Sequence, residues 1–295
     1  MDEKVFSKIG GAFIGTALGD GLGEYPHLLK VEGEPIPPTD DTLMTLTLAK
    51  VVFSLKTYDP QKVAQAYYHL YREGKLTKIG WSTFQALKRF EKYRNWFYSG
   101  VINKRAAGNG VAMRVAPLGI FAYLKKLPLE DFYETVRREG YITHRNELAI
   151  SGAFAVAYAV YLNLEGNLTP TGVVEETLHL LEELGIENPV KEALELSLKK
   201  VDLNPKEALT SLGTSGYVVH TVASAFYLFL KMDNFLEGLK ALLEVGGDTD
   251  TIGAIYGALY GSYFGMEKFP QNLVNRLETL PEIEEILGLV QRKFA

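Results

Sequence analysis

The amino-acid sequence predicts an all-α protein, and three observations lead to this prediction. Signals that start and stop helices recur along the chain, the alternation of apolar and polar residues typical of strands is almost absent, and two series of glycines have a spacing of four residues. The two dipeptides typical of hairpin turns, Asp20-Gly21 and Asn109-Gly110, lack alternating segments on either side. We therefore expect helices packed on helices, without a sheet.

The clearest helix begins at Asp59-Pro60, where a capping residue precedes a proline that suits the first helical position. Apolar residues follow at helical spacing until a glycine ends the pattern: Val63, Ala66, Tyr67, Leu70, Tyr71 and Gly74. The same pair of cap and proline recurs at Thr169-Pro170, Asn188-Pro189 and Asn204-Pro205. Glycines typical of helix ends follow at Gly185, Gly213 and Gly246. These signals predict further helices in the second half of the chain.

Two glycine series lie near the two ends of the chain. Their members are Gly11, Gly15, Gly19 and Gly23 in the first and Gly253, Gly257, Gly261 and Gly265 in the second. A spacing of four places each series on one helix face, although each glycine costs about 1 kcal/mol relative to alanine. We expect two helices that approach more closely than the usual 8–10 Å. A membrane-spanning pair is the alternative, which the charge of Asp20 and the shortness of the second series disfavour.

Composition indicates one globular domain over residues 1–295. The chain is 47% apolar and 23% charged, which excludes disorder, and no Gly/Ser-rich or Pro-rich linker divides it. The net charge is −5 and basic residues form no long run, so we expect neither a nucleic-acid nor a membrane partner. Cysteine is absent, which excludes disulfides and thiolate metal sites. The first residues lack the pattern of a secretory signal, and we expect a cytoplasmic protein.

Two acidic clusters, Thr39–Thr42 and Asp248–Thr251, each precede an apolar helical run. Helix capping is the simpler interpretation, since Asp and Thr satisfy the first amides of a helix. However, each cluster holds two carboxylates, more than one cap needs. Carboxylate and hydroxyl oxygens suit Mg²⁺, Mn²⁺ or Ca²⁺, and two metals about 3.5–4 Å apart recur in hydrolytic sites. Capping and a two-metal site both remain open on this pattern.

A third cluster, Gly108–Arg114, leads from a glycine turn into an apolar segment. Backbone amides at such a junction can bind phosphate, and Arg114 would add positive charge. The alternative is a plain turn with a structural arginine, because the pattern lacks the Lys-Ser/Thr end of a P-loop. Of the histidines, His144 and His220 are the stronger candidates for a site.

The three clusters, in this order, resemble those of the ADP-ribosylglycohydrolase family. The resemblance covers nearly the whole chain and includes Gly11–Gly23, Thr143-His144, Gly216–Val219 and Gly246-Gly247. It implies an orthogonal all-α bundle that holds two Mg²⁺ or Mn²⁺ ions. The implied metal ligands are Thr39, Asp40, Asp41, Asp248, Asp250 and Thr251. The implied substrate-binding residues are Asp20, Gly108, Asn109, Gly110, Met113, Arg114 and His144.

The resemblance also implies a reaction, the metal-dependent hydrolysis of the glycosidic bond between an ADP-ribosyl group and its acceptor. The acceptor is a protein side chain or a small molecule, and Asp40, Asp248 or Glu24 handles the proton. A catalytically silent relative that binds ADP-ribose or a related nucleotide, or that serves structurally, is the second hypothesis. A structural bundle stabilised by cations is the third. We expect a monomer or a small homo-oligomer.

Two positions depart from the family's pattern. His27 follows Pro26 where a glutamate is usual, so that Glu24 is the nearest carboxylate. Lys78 stands where many members carry an acidic residue before an Ile-Gly-x-x-Thr segment. An ammonium group there would repel a guanidinium, so we expect arginine-linked substrates to be disfavoured. The alternative is that Lys78 points into solvent.

Overall fold

The computed structural model describes residues 1–294 as a bundle of fifteen α-helices. Their bounds are α1, Glu3–Glu24; α2, Asp40–Leu55; α3, Pro60–Arg72; α4, Trp81–Tyr93; α5, Ala116–Lys125; α6, Leu129–Thr143; α7, Glu147–Glu165; α8, Pro170–Glu183; α9, Pro189–Lys199; α10, Pro205–Leu212; α11, Val218–Lys231; α12, Phe235–Val245; α13, Thr249–Phe264; α14, Gln271–Val274; and α15, Leu280–Phe294. Short 3₁₀ turns lie at Pro26–Leu29, Trp96–Tyr98, Ala112–Arg114 and Met266–Lys268. Within this part of the chain the extended contacts are three isolated bridges, so the predicted all-α class is confirmed.

The predicted helix starts are confirmed at all four pairs of cap and proline. The Asp59 carboxylate accepts a hydrogen bond from the amide of Gln61 at 3.0 Å, and the Asn188 side chain accepts one from the amide of Val190 at 2.9 Å. Thr169 and Asn204 cap α8 and α10 in the same way. The predicted glycine ends have positive φ angles, as a helix stop of this kind requires: Gly185 (67°), Gly213 (89°) and Gly246 (83°).

The two glycine series form the expected seam, in which α1 and α13 pack antiparallel. Gly11 faces Gly261, Gly15 faces Gly257, and Gly19 faces Gly253. A Cβ atom at any of these six positions would overlap the backbone carbonyl of the opposite helix. Close approach of two backbones therefore explains why both helices accept glycines in their interiors.

One helix within residues 1–294, α7, is long and apolar enough to cross a membrane by length and composition. In the fold, 78% of its apolar window is buried inside the protein. It packs against α5, α11 and α13 as a central helix of the core. Neither glycine helix meets the same criterion, so the membrane alternative for the glycine series finds no support.

The seam brings distant parts of the chain together at one end of the bundle. Gly23, the last glycine of α1, contacts the backbone of Thr249 and Asp250 at the start of α13. The Thr249 hydroxyl donates a hydrogen bond to the carbonyl of Gly23 at 2.8 Å. Asp20, one turn earlier on α1, binds the start of α2 through Thr39 and Thr42. The N-termini of α2 and α13, which carry the two acidic clusters, therefore meet beside the C-terminal end of α1.

Candidate active site

The start of α2 is held in place by Asp20. Its buried carboxylate accepts hydrogen bonds from the amide of Thr39 at 2.8 Å, the amide of Thr42 at 3.1 Å, and both threonine hydroxyls at 2.6 Å. Asp20 is 0% exposed and does not line the cavity described below. The structure thus corrects its predicted role as a substrate-binding residue, because all of its hydrogen bonds shape the α2 turn. Its carboxylate nevertheless lies within 4.8 Å of those of Asp41 and Asp250.

Capping does not account for the carboxylates at the start of α2. Thr39 is the cap residue, and its hydroxyl accepts a long hydrogen bond of 3.4 Å from the amide of Asp41. Asp40 lines the cavity. One oxygen of Asp41, Oδ1, is buried without a hydrogen-bond partner. An orphaned carboxylate oxygen is costly in a protein interior, so its presence indicates a ligand that would satisfy it.

Capping does not account for the carboxylates at the start of α13 either. Asp248 occupies the cap position, but its side chain makes no capping hydrogen bond. Instead its Oδ2 accepts a hydrogen bond of 2.6 Å from the side-chain amide of Asn109. Asp250 and Thr251, in the first turn, line the cavity with Asp248. The two acidic clusters thus turn their carboxylates toward each other and the cavity instead of toward their own helix ends.

The charge of the cluster is not balanced within it. Burial, followed by the charge of Asp20, raises the pKa of Asp40 to about 6. Burial and a hydrogen bond with Asp248 raise the pKa of Asp250 to about 8, and burial with the charges of Asp20, Asp40 and Asp250 raises the pKa of Asp41 well above its ordinary value. The neighbouring charges that raise these values are those of other aspartates.

These residues fit a hard divalent cation. Carboxylate oxygens of Asp20, Asp41 and Asp250 lie within 4.8 Å of one another, and one oxygen of Asp41 lacks a partner. Mg²⁺ and Mn²⁺ prefer oxygen donors of this kind. Five of the six predicted metal ligands line the cavity: Asp40, Asp41, Asp248, Asp250 and Thr251. The sixth, Thr39, does not line it, and its hydroxyl donates to Asp20.

The glycine loop forms another wall of the cavity. The amide of Asn109 donates a hydrogen bond of 3.1 Å to the carbonyl of Gly216, which fixes the loop against the segment before α11. A Cβ atom at Gly110 would lie 2.8 Å from Cε1 of His144, so a side chain at Gly110 would crowd the imidazole. The predicted residues Gly108, Asn109, Gly110, Met113 and His144 all line the cavity.

His144 lies beneath this loop as a neutral imidazole. Its Nδ1 is 2.7 Å from the Thr143 hydroxyl, and its side chain is almost fully buried. Burial, reinforced by the charge of Arg114, lowers the pKa of His144 to about 3. A neutral imidazole offers one donor and one acceptor, so His144 suits hydrogen bonding to a substrate better than proton donation near neutral pH.

Arg114 has a different role from the one predicted. It is 0% exposed and forms a buried ion pair with Glu139 on α6, with Nε 2.7 Å from Oε1. Its remaining donors reach the carbonyls of Gly110 and Glu139 and the hydroxyl of Thr143. Because the counter-charge lies in the core, the guanidinium does not reach the cavity and is not a phosphate ligand. It positions the glycine loop through Gly110.

Glu139 is a residue that sequence reasoning missed. It lies on α6 within an ordinary Arg-Arg-Glu-Gly segment, and nothing in the local pattern marks it as buried. Tyr58 and Tyr67 donate hydrogen bonds to its carboxylate at 2.8 and 2.6 Å. The burial of Glu139 can be recognised only in the tertiary structure, because its partners come from α3, the loop before α3 and the 3₁₀ turn that contains Arg114.

The cavity itself has a volume of about 330 Å³ and lies between the acidic clusters, the glycine loop and α4. Trp81, Ser82, Thr83 and Arg105 also line it, and none of these four was predicted as a site residue. In the sequence, Trp81, Ser82 and Thr83 belong to the Ile-Gly-x-x-Thr segment, which follows Lys78. Tertiary contacts bring α4 to the cavity.

Lys78, one of the two departures from the family's pattern, contacts Glu24, the carboxylate nearest to the other departure at His27. Lys78 lines the cavity and forms an ion pair with Glu24, and its Nζ is 5.2 Å from the ring centroid of Tyr25. Lys78 therefore borders the cavity, and its side chain is also 40% exposed to solvent. Glu24 does not line the cavity. His27 is exposed in the 3₁₀ turn that follows α1.

Comparisons with known proteins agree with this geometry. An uncharacterised protein of Archaeoglobus fulgidus is 30% identical over 278 residues, which cover 89% of this chain and 88% of that protein. The ADP-ribosylhydrolase ARH3 of Mus musculus is 26% identical, with 98% of this chain and 92% of that protein covered. A solved structure described as an ADP-ribosylglycohydrolase-related protein complex superposes with a TM-score of 0.77 at 28% identity, and the match covers 100% of both chains.

The profile of one family, ADP-ribosylglycohydrolase, matches residues 1–295. The same fold is found in the related structure, and the acidic clusters that carried the resemblance meet in one cavity with the glycine loop. The chain therefore belongs to the ADP-ribosylglycohydrolase family.

Proposed function

We propose that this protein is a metal-dependent hydrolase that cleaves the glycosidic bond between an ADP-ribosyl group and its acceptor. One observation carries the proposal: a cluster of aspartates, with an orphaned oxygen on the buried Asp41, faces the same cavity as the glycine loop. The family profile and the similarity to mouse ARH3, an ADP-ribosylhydrolase, support this reaction class. The substrate is an ADP-ribosylated protein or a small molecule that contains ADP-ribose.

The metal ligands in this proposal are Asp40, Asp41, Asp248, Asp250 and Thr251, with Asp20 and Thr39 behind them. Two Mg²⁺ ions, or Mn²⁺ in their place, would neutralise the carboxylates and favour an ordered arrangement of the ribose hydroxyls. Asn109 donates a hydrogen bond of 2.6 Å to the carboxylate of Asp248. This bond orients the Asp248 carboxylate before a metal ion binds.

The remaining residues bind substrate and handle a proton. In this proposal the glycine loop, Gly108–Gly110, receives the diphosphate through amides other than that of Asn109, which is bonded to Gly216. The neutral His144 can hydrogen-bond to the diphosphate or to the ribose. Water adds to the anomeric carbon, C1″, as the bond to the acceptor breaks through an oxocarbenium-like transition state. Of the three predicted carboxylates, Asp248 is held by Asn109 and Glu24 by Lys78. Asp40 is therefore the best placed to accept the proton that the attacking water loses.

Calorimetry tests the proposal most directly. ADP-ribose should bind in the presence of Mg²⁺ and lose most of its affinity after the metal is removed with EDTA. Turnover of ADP-ribosylated peptides, followed by chromatography of the released ADP-ribose, should then depend on the same metal. Binding without turnover of any linkage would support the silent relative instead, and binding that EDTA does not affect would contradict the metal site.

A further inference from the structure

The imidazole of His144 has one nitrogen that faces the glycine loop. A Cβ atom at Gly108 would lie 3.5 Å from Nε2 of His144, and a Cβ atom at Gly110 would lie 3.3 Å from the same atom. A side chain at either position would cover Nε2, so the two glycines leave this nitrogen accessible beside the cavity. The hydrogen-bond partner of the imidazole within residues 1–294 lies at the other nitrogen, Nδ1. Nε2 therefore remains for a ligand.

Whether Nε2 donates or accepts a hydrogen bond depends on the tautomer of the imidazole, which the group beside Nδ1 determines. That group is the hydroxyl of Thr143, the last residue of α6, at 2.7 Å. Thr143 is 0% exposed, so solvent does not satisfy its hydroxyl. The other group that bonds to this hydroxyl oxygen, among the described residues, is the guanidinium of Arg114, with Nη2 at 3.0 Å.

Arg114 determines the direction of the hydrogen bond between Thr143 and His144. A guanidinium keeps its charge and only donates hydrogen bonds. The Thr143 oxygen therefore accepts from Nη2, and the hydroxyl proton goes to the remaining acceptor, Nδ1 of His144. With the imidazole proton on Nδ1 instead, the buried hydroxyl proton of Thr143 would have no acceptor, which is costly in a protein interior.

The guanidinium is itself fixed by Glu139 on α6. Its Nε donates to the Glu139 carboxylate at 2.7 Å, and its Nη2 donates to the Glu139 carbonyl at 3.1 Å. Both protons of Nη2 are thus used, one by this carbonyl and one by the Thr143 hydroxyl. Tyr58 and Tyr67 hold the carboxylate from the other side. The chain of hydrogen bonds from Glu139 to His144 therefore has a defined direction.

From these contacts we infer that Thr143, with Arg114 behind it, fixes His144 in the tautomer that carries its proton on Nε2, so that His144 donates a hydrogen bond to a substrate oxygen beside the glycine loop. The identity of that substrate rests on the proposed function. Thr143 does not line the cavity, and it is a positioning residue that acts through His144. The accepting oxygen belongs to the diphosphate or to a ribose of the ADP-ribosyl group.

A donor at Nε2 suits such a ligand. The oxygens of an ionised diphosphate only accept hydrogen bonds, and ribose hydroxyls both accept and donate. The opposite tautomer would turn the lone pair of Nε2 toward the ligand and repel an anion. Burial, followed by the charge of Arg114, lowers the pKa of His144 to about 3, so the imidazole carries a single proton near pH 7. The Thr143 hydroxyl then determines which nitrogen holds this proton.

Nitrogen-15 NMR of protein labelled at its five histidines measures the tautomer without any substrate. His144→Gln assigns the signals of His144 by their loss. At pH 7 the parent should show a protonated Nε2 and an unprotonated Nδ1 that accepts a hydrogen bond. A proton on Nδ1, or an equal mixture of the two tautomers, would overturn the inference.

Thr143→Val removes the hydroxyl and keeps the branched shape of the side chain. The Nδ1 signal should move to that of a nitrogen without a hydrogen bond, and the affinity for ADP-ribose in saturating Mg²⁺ should fall by about tenfold in isothermal titration. Thr143→Ser, which restores the hydroxyl, should recover both properties. The matched control is Thr177→Val on α8, a buried threonine whose hydroxyl donates to the carbonyl of Val173 at 2.7 Å, and it should change neither.

Titration with ADP identifies the accepting oxygen. Equal losses of affinity for ADP and ADP-ribose in Thr143→Val would assign it to the part that the two ligands share, and a loss confined to ADP-ribose would assign it to the terminal ribose. Unchanged affinity for both ligands would contradict the positioning role. If the parent binds ADP-ribose but holds its proton on Nδ1, the inference is wrong and the hydrolase function stands. If His144 shows the expected tautomer but ADP-ribose does not bind, the proposed function is what fails.

Discussion

Two clusters of charged side chains are buried in this protein, and they differ in how their charge is balanced. At Arg114 and Glu139 a guanidinium meets a carboxylate at 2.7 Å, and two tyrosines complete the hydrogen bonding of the carboxylate. At the meeting point of α2 and α13, the carboxylates of Asp41 and Asp250 lie close to that of Asp20 with no such cation between them. The fold itself balances the charge and the hydrogen bonds of the first cluster. It leaves the charge of the second cluster unbalanced and one of its oxygens without a hydrogen bond.

The difference separates a structural site from a functional one. A buried ion pair with complete hydrogen bonds can hold two helices together, but it has no capacity left for a ligand. A buried carboxylate cluster with raised pKa values and an orphaned oxygen costs stability, and the fold tolerates that cost where a cation is to bind. Variants of the acidic cluster should therefore change the response to divalent metal, whereas variants of the Arg114–Glu139 pair should not.

The largest effect should come from breaking the seam that assembles the acidic cluster. Gly257→Leu would force a branched side chain into the backbone of α1 at Gly15, and we expect the free energy of unfolding to fall by about 5 kcal/mol or more. Chemical denaturation followed by circular dichroism measures this loss. Gly172→Leu on α8, where a Cβ would make ordinary contacts of 3.4 Å or more, is the control and should cost far less. Equal stabilities of the two variants would contradict the close seam.

Arg114→Met should cost about 3–5 kcal/mol, because it leaves the buried carboxylate of Glu139 without a counter-charge. The loss should be the same with Mg²⁺ and with EDTA, since this cluster binds no metal. The double variant Arg114→Met/Glu139→Gln should recover part of the stability. A single variant as stable as the double variant would show that the pair is not coupled.

Variants of the acidic cluster should instead change metal binding. Asp41→Asn and Asp250→Asn each remove a charged oxygen, so we expect the affinity for Mg²⁺ to fall by more than about 100-fold in isothermal titration. Without metal, neither variant should lower the free energy of unfolding, because each relieves repulsion among the aspartates. Asp202→Asn, at an exposed position in the turn after α9, is the control. If both Asp variants bind two Mg²⁺ ions as tightly as the parent does, the acidic clusters are helix caps and not a metal site.

The smallest effect is a pH dependence of metal stabilisation. The folded pKa values of Asp40 and Asp250, about 6 and about 8, exceed their ordinary value of 3.8. The folded state therefore holds protons that the unfolded state releases, and these groups make the metal-free protein less stable as pH rises from about 4 to about 8. A bound cation removes this cost.

We therefore expect Mg²⁺ to raise Tm more at pH 8 than at pH 5, by a difference of about 2–5 °C in thermal melts. His144 acts in the other direction, since its lowered pKa makes the protein less stable as pH falls below 6.5. Its contribution is the same with Mg²⁺ and with EDTA, so it cancels in the difference. A Tm increase that does not change with pH would show that the aspartates are already ionised before metal binds.

The sequence by itself determined the helical class, the helix starts and the two acidic clusters. Caps such as Asp59 and Asn188 act within one turn, so the signal and its structural effect lie a few residues apart. The glycine series predicted a close seam for a similar reason, because a spacing of four fixes which residues share a helix face.

Only the tertiary structure decided which carboxylates are free, which charges are paired, and where α4 lies. Asp20 and Arg114 both belong to motifs that suggest substrate contact, yet one is satisfied by Thr39 and Thr42 and the other by Glu139. The partner of Arg114 lies 25 residues away, and that of Asp248 lies 139 residues away at Asn109. Burial and hydrogen-bond balance are properties of such distant pairs. Local sequence patterns do not contain them, because the free energy of a buried charge depends on which group the fold places beside it.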